Sequence, residues 1–587
     1  MVASRTAVAR ARAQAAPSSS IAQAARRFGD EVPERRRQLP IRAAGLVVVG
    51  FLCLYIPWMF THLATRLPWL AWPFAVASVF TGFCVTLSIV NSWCSRVTQP
   101  RPLAGQDVPK VAVLIPTLGE PVRMVLRTVL SVLEQDYPAQ RMVIVVSDDA
   151  HNPELARALD GLGVIYHDPP DRWAPGRDGA AKAGNLNSAL DMVKRRFPHV
   201  RYIETRDADD EVGCDRFLRH TVGHLEADCG LAFVQTVKEA QVSAGDPFVN
   251  FDGQFYRSQM FARDAANAVF PCGSGLVWRL DALEDIGGFP TWNLVEDFQS
   301  GVEALRRGWR GHYLAIVGAV AQHSPEDVPN VIKQRGTWAI DTVRLMVWGN
   351  LRGLGLRQRL AFTETLLFYL HSFTALVYVP VTALACVRLL PLTASPLSCV
   401  QHLLPYALAT ELRLLVLNRP VGDRRRRQRH PLRSLWRVLV MWTGLAPVYM
   451  LACCKAILGG PNRKPIYKVT RKTHEFAWYW RETLPSAILA TLVPVALVVG
   501  VIDDRLPHPV LLIAAGYWGF MASAALGGFV TRGWFGKQPL RLPGLWDRRR
   551  RTTERVVPRA PAGAHLDSAL TAARAAAGTD SPTGTGS

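Results

Sequence analysis

Long apolar stretches on both sides of a polar central region are the feature that most restricts how this chain can fold. Two stretches, residues 41–62 and 68–94, precede that region, and each is near the roughly 20 residues needed to cross a bilayer. Five more follow it, at residues 363–390, 400–417, 432–458, 484–502 and 509–530. The pattern predicts a polytopic membrane protein in which a polar domain is inserted between transmembrane α-helices.

The composition narrows the class of protein. Of the 587 residues, 49% are hydrophobic and 20% are charged, and the formal net charge is +21. A basic excess can indicate nucleic-acid binding, but here the basic clusters lie beside the apolar stretches, which favours a membrane surface. The ten cysteines include no C-x-x-C pair, so neither a zinc site nor a disulfide framework is indicated. We therefore expect a lipid membrane as partner and no nucleic acid.

The positions of basic residues predict which side of the membrane each loop occupies. With the N-terminus inside, the first two stretches return the chain to the cytoplasm, and the linker 391–398, which lacks Lys and Arg, lies outside. The basic clusters at 424–429 and 548–551 both fall inside only if residues 432–458 do not cross. We interpret that segment as an interfacial or re-entrant helix, which leaves six crossings. The predicted location is the inner (plasma) membrane, with the central domain cytoplasmic.

The segments outside the apolar stretches have distinct compositions. Residues 1–40 are rich in Ala, Arg, Ser and Pro, and residues 531–587 are basic and then rich in Ala, Thr and Gly, so both predict disordered basic tails. Residues 339–362 are amphipathic and predict interface helices, which could lie on the membrane or pack on the central domain. The region 363–530 is predicted to be transmembrane apart from its interfacial helix.

The central region, residues 108–338, alternates between strand-like and helix-like segments. Strands are predicted at residues 111–116, 142–147, 201–205 and 231–236, with helices at 121–135, 182–196 and 215–227. This alternation is typical of a mostly parallel α/β sheet, in which ligands bind beyond the carboxyl ends of the strands. Acidic residues follow two of the predicted strands, so we expect a ligand site there.

Asp207 and Asp209, in the stretch YIETRDADD, are the candidate metal ligands. Alternate residues of an extended chain project to the same side, so the two carboxylates can converge on one point. Two carboxylates at that spacing suit Mg²⁺ or Mn²⁺, which would itself hold a diphosphate. An isolated D-x-D is more often a solvated acidic turn, and only the neighbouring motifs favour the metal site.

The neighbouring motifs offer groups for a nucleotide, a phosphate and an acceptor. Asp148 and Asp149 can accept hydrogen bonds from a uracil N–H or a ribose hydroxyl, and Lys182 offers a cation at a helix start. Asp297, after Glu296, is suited to deprotonate an acceptor hydroxyl, and the dipole of the following helix is expected to keep it ionised. Each also has an ordinary structural alternative, such as an Asx turn or a helix cap.

Taken in order, seven segments resemble the motifs of the processive, membrane-embedded family 2 glycosyltransferases, especially the catalytic subunit of bacterial cellulose synthase. The segments are SDDA, KAGN, DAD, VQT, CGSG, VED and QRGTW. Seven motifs in register are more specific than any one alone, and the resemblance covers roughly residues 41–530. A further segment at 465–475, which contains YKVTRKTHE, resembles the family's gating loop, F-x-V-T-x-K-G, which closes over the nucleotide.

The resemblance implies a GT-A-like domain that uses a UDP-sugar, with UDP-glucose as the expected donor, and a divalent cation, Mg²⁺ or Mn²⁺. Such enzymes invert the anomeric carbon and pass the growing polysaccharide through a channel formed by the same chain, and an accessory export subunit could assist. The implied nucleotide-sugar-binding residues are Asp148, Asp149, Lys182, Asp207, Thr470 and Lys472. The implied metal ligands are Asp207 and Asp209, the catalytic base is Asp297, and the acceptor-binding residues are Glu296, Gln334, Arg335 and Trp338.

Several residues depart from the family's motifs. Thr337 stands where Q-x-x-R-W has arginine, which removes a cation expected to help hold the diphosphate, and Arg335 could substitute for it. Val237 replaces the proline of V-Q-T-P, Val295 replaces the threonine of T-E-D, and Thr473 replaces the gating-loop glycine. These changes bear on the sugar, the linkage and the processivity more than on the type of reaction.

Two other functions stay open from the sequence. The chain could be a non-processive transferase that adds one sugar to a lipid or a short glycan, with its apolar helices acting only as anchors. It could also be a transporter or scaffold whose polar domain has lost activity, although the joint presence of Asp207, Asp209 and Asp297 argues against this.

Overall fold

The computed structural model describes residues 4–15, 38–172, 174, 177, 179, 181–241, 243, 246–248, 255–325, 327–417, 431–463, 480–504 and 509–530. The predicted gating loop, with Thr470, Lys472 and Thr473, lies outside the described residues. So does the predicted C-terminal tail, residues 531–587.

An eight-stranded mixed sheet forms the centre of the polar domain. Its strands are β1 (Lys110–Thr117), β2 (Met142–Asp148), β3 (Ile165–His167), β4 (Val200–Thr205), β5 (Glu211–Val212), β6 (Leu231–Gln241), β7 (Leu276–Arg279) and β8 (Arg310–His323). Their order across the sheet is β3-β2-β1-β4-β7-β6-β8-β5. The four predicted strands are all present. The sheet is less parallel than predicted because β7 pairs antiparallel with both β4 and β6.

Helices cover the sheet and continue into the apolar regions. In chain order they are α1 (Arg5–Gln14), α2 (Gln38–Thr61), α3 (Pro68–Asn91), α4 (Val122–Leu133), α5 (Pro153–Leu159), α6 (Lys182–Arg196), α7 (Phe217–Ala227), α8 (Met260–Ala265), α9 (Leu280–Asp285), α10 (Glu296–Arg306), α11 (Val328–Trp348), α12 (Leu356–Leu370), α13 (Phe373–Ala385), α14 (Pro396–Leu417), α15 (Pro431–Gly459), α16 (Trp480–Ile502) and α17 (Pro509–Gly528). The strand–helix alternation confirms the predicted α/β class.

The domain has one core layer on each face of the sheet, because successive strand residues point to opposite faces. On β1, Ala112 and Leu114 belong to the layer that includes α6, α8 and α9. Val111, Val113 and Ile115 belong to the layer that includes α4, α5 and α7. The strand is therefore buried on both faces, as its nearly continuous apolar sequence indicates.

Helix α1 lies where the sequence predicts a disordered tail, so that prediction is wrong for Arg5–Gln14. Ala7 and Ala11, one turn apart, are buried in the same core layer as α4 and α5. Arg12 forms an ion pair of 3.0 Å with Glu134 at the end of α4. The composition conceals this helix because two small alanines provide its buried face.

The amphipathic segment predicted at 339–362 forms the second half of α11, a loop and the start of α12. Leu345 and Met346 of α11 pack in one cluster with Phe298 and Val302 of α10. Of the two placements that the sequence leaves open, packing on the α/β domain is therefore present.

Four helices among the described residues are long and apolar enough to cross a membrane. They cover Gln38–Thr61, Pro68–Asn91, Leu435–Gly459 and Arg481–Ile502. Helices α12 and α13, which meet at a bend of 40°, make a fifth if they are counted as one span. Helices α14 and α17, which the charge pattern predicts to cross, are not among these helices. Helix α15, which it predicts not to cross, is among them. The helices selected by length and composition thus differ in part from the six crossings predicted by charge. The topology with six crossings stays a prediction.

Helix α14 has one end at the α/β domain and the other end away from it. The loop after α2 bonds the loop after α13, since Ala64 N–H donates to the Pro391 carbonyl (2.9 Å) and Thr393 N–H to the His62 carbonyl (2.8 Å). At the other end of α14, the Leu417 carbonyl accepts a hydrogen bond of 2.6 Å from Ser258 of the domain. The two loops therefore lie together at the end of these helices that is remote from the domain.

Helix α15 lies along α11 of the domain. Its Leu445 and Tyr449 pack in one cluster with Ala339, and its Ala456 packs with Val343 one turn further along α11. The helix therefore packs on the domain over much of its length. Because its length and composition would also allow it to cross a membrane, its predicted interfacial or re-entrant placement stays a prediction.

Candidate active site

The site lies at the carboxyl ends of three neighbouring strands. Strands β2, β1 and β4 run parallel, and the last residue of β1, Thr117, is in register with Asp148 at the end of β2. Asp149 follows β2 directly, and Asp207 follows β4 after one intervening residue, Arg206. The predicted convergence of the two acidic groups therefore arises from the strand order itself.

A buried ion pair holds the turn that carries Asp207 and Asp209. Arg206 and Glu204 are both fully buried, and the Arg206 Nε donates to Glu204 Oε1 at 2.6 Å. Arg206 also donates to the carbonyl of Gly318 on β8 at 3.1 Å. A charged pair enclosed beneath the turn fixes its position, because removing one partner would leave an uncompensated buried charge.

One cavity of about 580 Å³ contains nine of the predicted site residues in its lining. They are Asp149, Lys182, Asp207, Asp209, Glu296, Asp297, Gln334, Arg335 and Trp338. The cavity also reaches Phe368 and Tyr369 of α12 and Met441 of α15. Residues from five separate sequence motifs thus share one space, which continues to the apolar helices.

Asp207 is the most heavily contacted acid of the site. The Lys182 Nζ lies 2.5 Å from its Oδ1, while Lys238 Nζ lies 3.5 Å from its Oδ2 and Gln322 Nε2 donates to that oxygen at 2.9 Å. Burial alone would lower the pKa of Lys182, but the carboxylates of Asp207 and Glu296 outweigh it and raise the pKa. Burial opposes the charge of Lys238 as well, but the carboxylates of Asp210 and Asp207 raise its pKa. Both lysines are therefore cationic at the position where a phosphate group would need positive charge.

Lys238 and Gln322 are site residues that the sequence motifs did not reveal. Lys238 lies on β6, two residues after the VQT segment, and Gln322 lies near the end of β8. A lysine within an apolar strand that is buried on both faces is itself a signal of function. Gln322 carries no such signal, because its position near Asp207 depends on the parallel pairing of β6 with β8.

Asp297 lies in the first turn of α10, as predicted, and faces the cavity. Its Oδ1 accepts a hydrogen bond of 2.7 Å from the Phe298 N–H. Burial, with the added charge of Glu296, raises the pKa of Asp297 to about 7. The sequence predicts that the helix dipole keeps this carboxylate ionised, but desolvation outweighs the dipole. A pKa near neutrality is what an efficient general base requires.

Gly273 of the CGSG segment shows how closely the site residues approach one another. Its φ is +77°, and a Cβ added there would lie 3.1 Å from Asp297 Oδ2, 3.3 Å from Lys182 Nζ and 3.9 Å from Asp207 Oδ2. The base, the phosphate-binding cation and the candidate metal ligand therefore all reach one point. Only glycine suits that position, both for its backbone conformation and for the space it leaves.

The two aspartates after β2 have different surroundings. Asp148 is fully buried, and its carboxylate accepts hydrogen bonds from the backbone N–H of Ala150 (3.0 Å) and Asn152 (2.8 Å). Asp149 lines the cavity and is paired with Arg177 through both carboxylate oxygens, at 2.8 and 2.9 Å. Their nucleotide-binding roles stay predictions, with Asp149 in the position to contact a ligand directly and Asp148 shaping the loop.

Helix α11 carries the predicted acceptor-binding residues. Gln334 and Trp338 are four residues apart and so lie on one face of the helix. The guanidinium of Arg335 lies over the indole of Trp338, 4.9 Å from its ring centroid. Thr337 also lines the cavity. The helix thus adds an aromatic and polar surface to the cavity that Asp207 and Asp209 line, and such a surface suits a sugar ring and its hydroxyls.

Asp207 and Asp209, which form the acidic corner of the cavity, suit a divalent cation that binds together with a diphosphate. Within the described ranges, no group of three or more His, Cys, Asp or Glu side chains has the arrangement of an all-protein metal site. Mg²⁺, however, is commonly held by one or two carboxylates together with substrate phosphates. Asp207 and Asp209 supply hard oxygen ligands beside Lys182, so the residues present suit that mode of binding.

Comparison with known families agrees with this site. Residues 109–340 match the family described as "Glycosyltransferase like family 2". The match extends from the first strand of the sheet to α11 and includes all predicted site residues except those of the gating loop. Together with the mixed sheet, it confirms the predicted GT-A-like α/β domain between apolar helices.

Curated relatives are similar over a larger part of the chain. A putative cellulose synthase 2 of Komagataeibacter xylinus is 29% identical over 471 residues, which are 76% of this chain and 29% of that protein. The cellulose synthase 1 catalytic subunit [UDP-forming] of the same organism is 28% identical over 318 residues, 52% of this chain and 40% of that protein. The chain thus spans less than half the length of either relative.

Solved structures include a mannosyltransferase, PcManGT from Pyrobaculum calidifontis in complex with GDP-Man and Mn²⁺. It aligns with 66% of this chain and 99% of that chain, at 19% identity and a TM-score of 0.44. That degree of similarity is too low to support an inference about this chain.

Proposed function

Because the chain carries a glycosyltransferase family 2 domain and is similar to bacterial cellulose synthases, we propose that it polymerises a UDP-sugar into a β-linked polysaccharide. In this proposal the enzyme inverts the anomeric carbon at each transfer and exports the product through a channel of its own apolar helices. UDP-glucose is the expected donor, since three of the similar proteins are named as UDP-forming cellulose synthase catalytic subunits.

The shared cavity is the observation that carries this proposal. It brings the candidate metal ligands, the candidate base and the acceptor helix α11 into one space. The same cavity reaches α12 and α15, which belong to the apolar part of the chain. A product formed beside Asp297 would therefore lie next to helices that could enclose it.

The chemistry proposed for the site is a single displacement. Asp297 accepts the proton of the acceptor hydroxyl as the oxygen forms a bond to the anomeric carbon, and the bond from that carbon to the diphosphate breaks. UDP leaves with the electron pair of that bond. Lys182 and Lys238 stabilise the negative charge that develops on the diphosphate. A divalent cation held by Asp207 and Asp209 would supply further positive charge to the same group.

We propose that the chain resides in the plasma membrane with its α/β domain in the cytoplasm. The basic clusters beside the apolar helices support this orientation, and UDP-sugars are charged molecules that need a site on the side of the membrane where they are made. An accessory export subunit could join the complex at the remote ends of the helices.

The proposal is tested with purified, detergent-solubilised protein, a divalent cation and a panel of UDP-sugars. Release of UDP together with a product that lengthens with time is the expected result for one donor. A product of fixed size, one sugar longer than the acceptor, would replace the proposal with the non-processive alternative. Absence of UDP release with every donor would contradict both.

The non-processive alternative is favoured by one residue. Thr337 lines the cavity where the resembling motif has arginine, so the diphosphate has one cation fewer than the motif provides. Slower capture of each donor would give the product more time to leave between transfers, which shortens it towards a single addition. Product length, measured in separate assays with Mg²⁺ and with Mn²⁺, distinguishes the two functions.

A further inference from the structure

Asp341, on α11, is bonded to the loop that leads to the candidate base. Its Oδ2 accepts hydrogen bonds from the backbone N–H of Leu294, at 2.5 Å, and of Val295, at 3.3 Å. Asp341 is fully buried. Val295 is the residue before α10, and Asp297 is the second residue of that helix. A buried carboxylate therefore holds the backbone two residues from the base.

Arg344, one turn further along α11, completes the arrangement. Its guanidinium donates to Asp341 Oδ1 at 3.1 Å and to Asn293 Oδ1 at 2.9 Å. A second nitrogen donates to the carbonyl of Pro461 at 2.9 Å. Trp292 covers the guanidinium, 4.4 Å from it, and its own indole N–H donates to the same carbonyl at 3.2 Å. Arg344 is only 1% exposed, so these bonds form without competition from water.

The contacts join three parts of the molecule that the reaction needs together. Helix α11 presents Gln334 and Trp338 to the acceptor side of the cavity, one to two turns before Asp341. The loop 292–295 leads into α10, which carries the base Asp297 in its first turn. Pro461 follows α15 and lies a few residues before the segment that resembles a gating loop. A rigid link between acceptor helix and base would fix the distance between the hydroxyl and the group that deprotonates it.

The hydrogen bonds of Asp341 are made at the start of the helix that carries the base, which a purely stabilising role would not require. The side chain of Val295, the residue before α10, makes no capping hydrogen bond. The two backbone amides that lead into the helix are instead bonded by Asp341 from the acceptor helix. Any movement of α11 is thereby transmitted to the start of α10. Such coupling is relevant to rate, because an error of about 1 Å in the position of reacting groups can cost on the order of 100-fold.

We propose that Asp341 and Arg344 are positioning residues that keep the base Asp297 in register with the acceptor-binding helix α11. This inference rests on the proposed transferase function. It assigns no contact with substrate to either residue: both act through the loop 292–295.

The test compares Asp341→Ala, Asp341→Asn and Arg344→Gln with the wild type and with Glu303→Gln. Glu303 is a matched control, since it also pairs with an arginine three residues later in a helix, at 2.5 Å, but does not line the cavity. For each full-length protein, kcat and the donor KM are measured by UDP release. Hydrogen exchange of the Leu294 and Val295 amides is measured by mass spectrometry.

We expect Asp341→Ala and Arg344→Gln to lower kcat by about tenfold or more while the donor KM changes by less than about twofold. Exchange at Leu294 and Val295 becomes faster in Asp341→Ala. Asp341→Asn retains an oxygen that can accept from these amides, so its kcat and exchange lie between those of Asp341→Ala and the wild type. Glu303→Gln behaves as the wild type in both measurements.

The positioning role is overturned if the kcat of Asp341→Ala matches that of Glu303→Gln, or if exchange at the two amides is unchanged. A proportional rise in donor KM would also contradict it, because it would indicate a donor-binding defect. Lack of turnover in the wild type would instead remove the proposed transferase function. In that case the exchange measurement still decides whether Asp341 holds the loop.

Discussion

At the residue scale, Asp297 meets two opposing requirements. The base must lose its proton before it can accept one from an acceptor, yet it must also be basic enough to attract it. Burial and the neighbouring Glu296 raise its pKa to about 7, against the opposing charge of Lys182. The environment therefore tunes an ordinary carboxyl group to the pH at which it would work.

Replacement of Asp297 by asparagine is expected to abolish transfer. The amide has similar size but cannot accept the proton, and loss of a general base typically costs about 10²- to 10⁴-fold. Transfer is followed by UDP release, and UDP binding is followed by calorimetry. Unchanged UDP affinity with lost turnover is the expected pair of results, whereas full activity would remove the assigned role.

The pH dependence of the rate follows from the same carboxyl group. Below pH 7 Asp297 is mostly protonated and cannot act as a base, so kcat should fall by about tenfold per pH unit on the acidic side and level off above about 8. The measurement is kcat at saturating donor between pH 5.5 and 8.5. A rate that stays constant across that range would show that no group with this pKa limits the reaction.

Asp209 is expected to matter for the donor rather than for proton transfer. Asp209→Ala removes one of two candidate ligands, so cation-dependent UDP binding should weaken by about tenfold or more. Titration of the protein with UDP at increasing Mg²⁺ or Mn²⁺ measures the effect. UDP affinity equal to the wild type at every cation concentration would exclude Asp209 as a ligand.

At the scale of elements, regular patterns were predictable and pairings across the sheet were not. Helix α6 begins and ends where the sequence predicts, because small residues open it and three basic residues close it. Strand β7 is not predictable in the same way, because it is only four residues long and follows the glycine-rich CGSG segment directly. Gln322 is not predictable for a related reason: no local pattern shows that β8 brings it to Asp207, in the turn after β4.

The glycine-rich segment before β7 provides a test at this scale. Gly273→Ala introduces a Cβ in a backbone conformation that costs L-residues about 1 kcal/mol or more, and it crowds Asp297 and Lys182. We expect lower stability and a loss of transfer activity. The free energy of unfolding and kcat are measured together.

Gly105→Ala is the matched control for that substitution. Gly105 has a φ of +76°, nearly that of Gly273, but a Cβ there would meet nothing within 4 Å. The backbone cost should therefore be similar and the activity per folded molecule unchanged. Equal activity losses in the two variants would mean that crowding of the site is not the cause.

At the scale of the whole molecule, the division into a polar domain and apolar helices was predictable from the sequence, because hydropathy and charge report it directly. The short helix α1 was not predictable, since its apolar face consists of two alanines. Nor was the path of α15 along α11, because a helix of that composition is equally suited to cross a bilayer. Its placement follows from contacts between distant segments.

The predicted orientation can be tested by chemical labelling. Cys229 is exposed on the α/β domain, and Ser395 is exposed in the loop before α14. A membrane-impermeant maleimide should modify a Ser395→Cys variant in cells whose outer barrier has been removed, and should modify Cys229 only in inverted vesicles. Mass spectrometry of the two peptides gives the result, and labelling of both from one side would contradict the topology.

The contacts of Asp207 have a consequence for the order in which ligands load. Two ammonium groups already pair with its two carboxylate oxygens, so a bare divalent ion would have to displace one of them before it could bind there. A nucleotide relieves that competition, since its phosphates draw the lysines towards themselves and bring several anionic oxygens of their own. Cation and nucleotide should consequently enter as a preformed complex, and an excess of free cation should do little to fill the site when nucleotide is scarce.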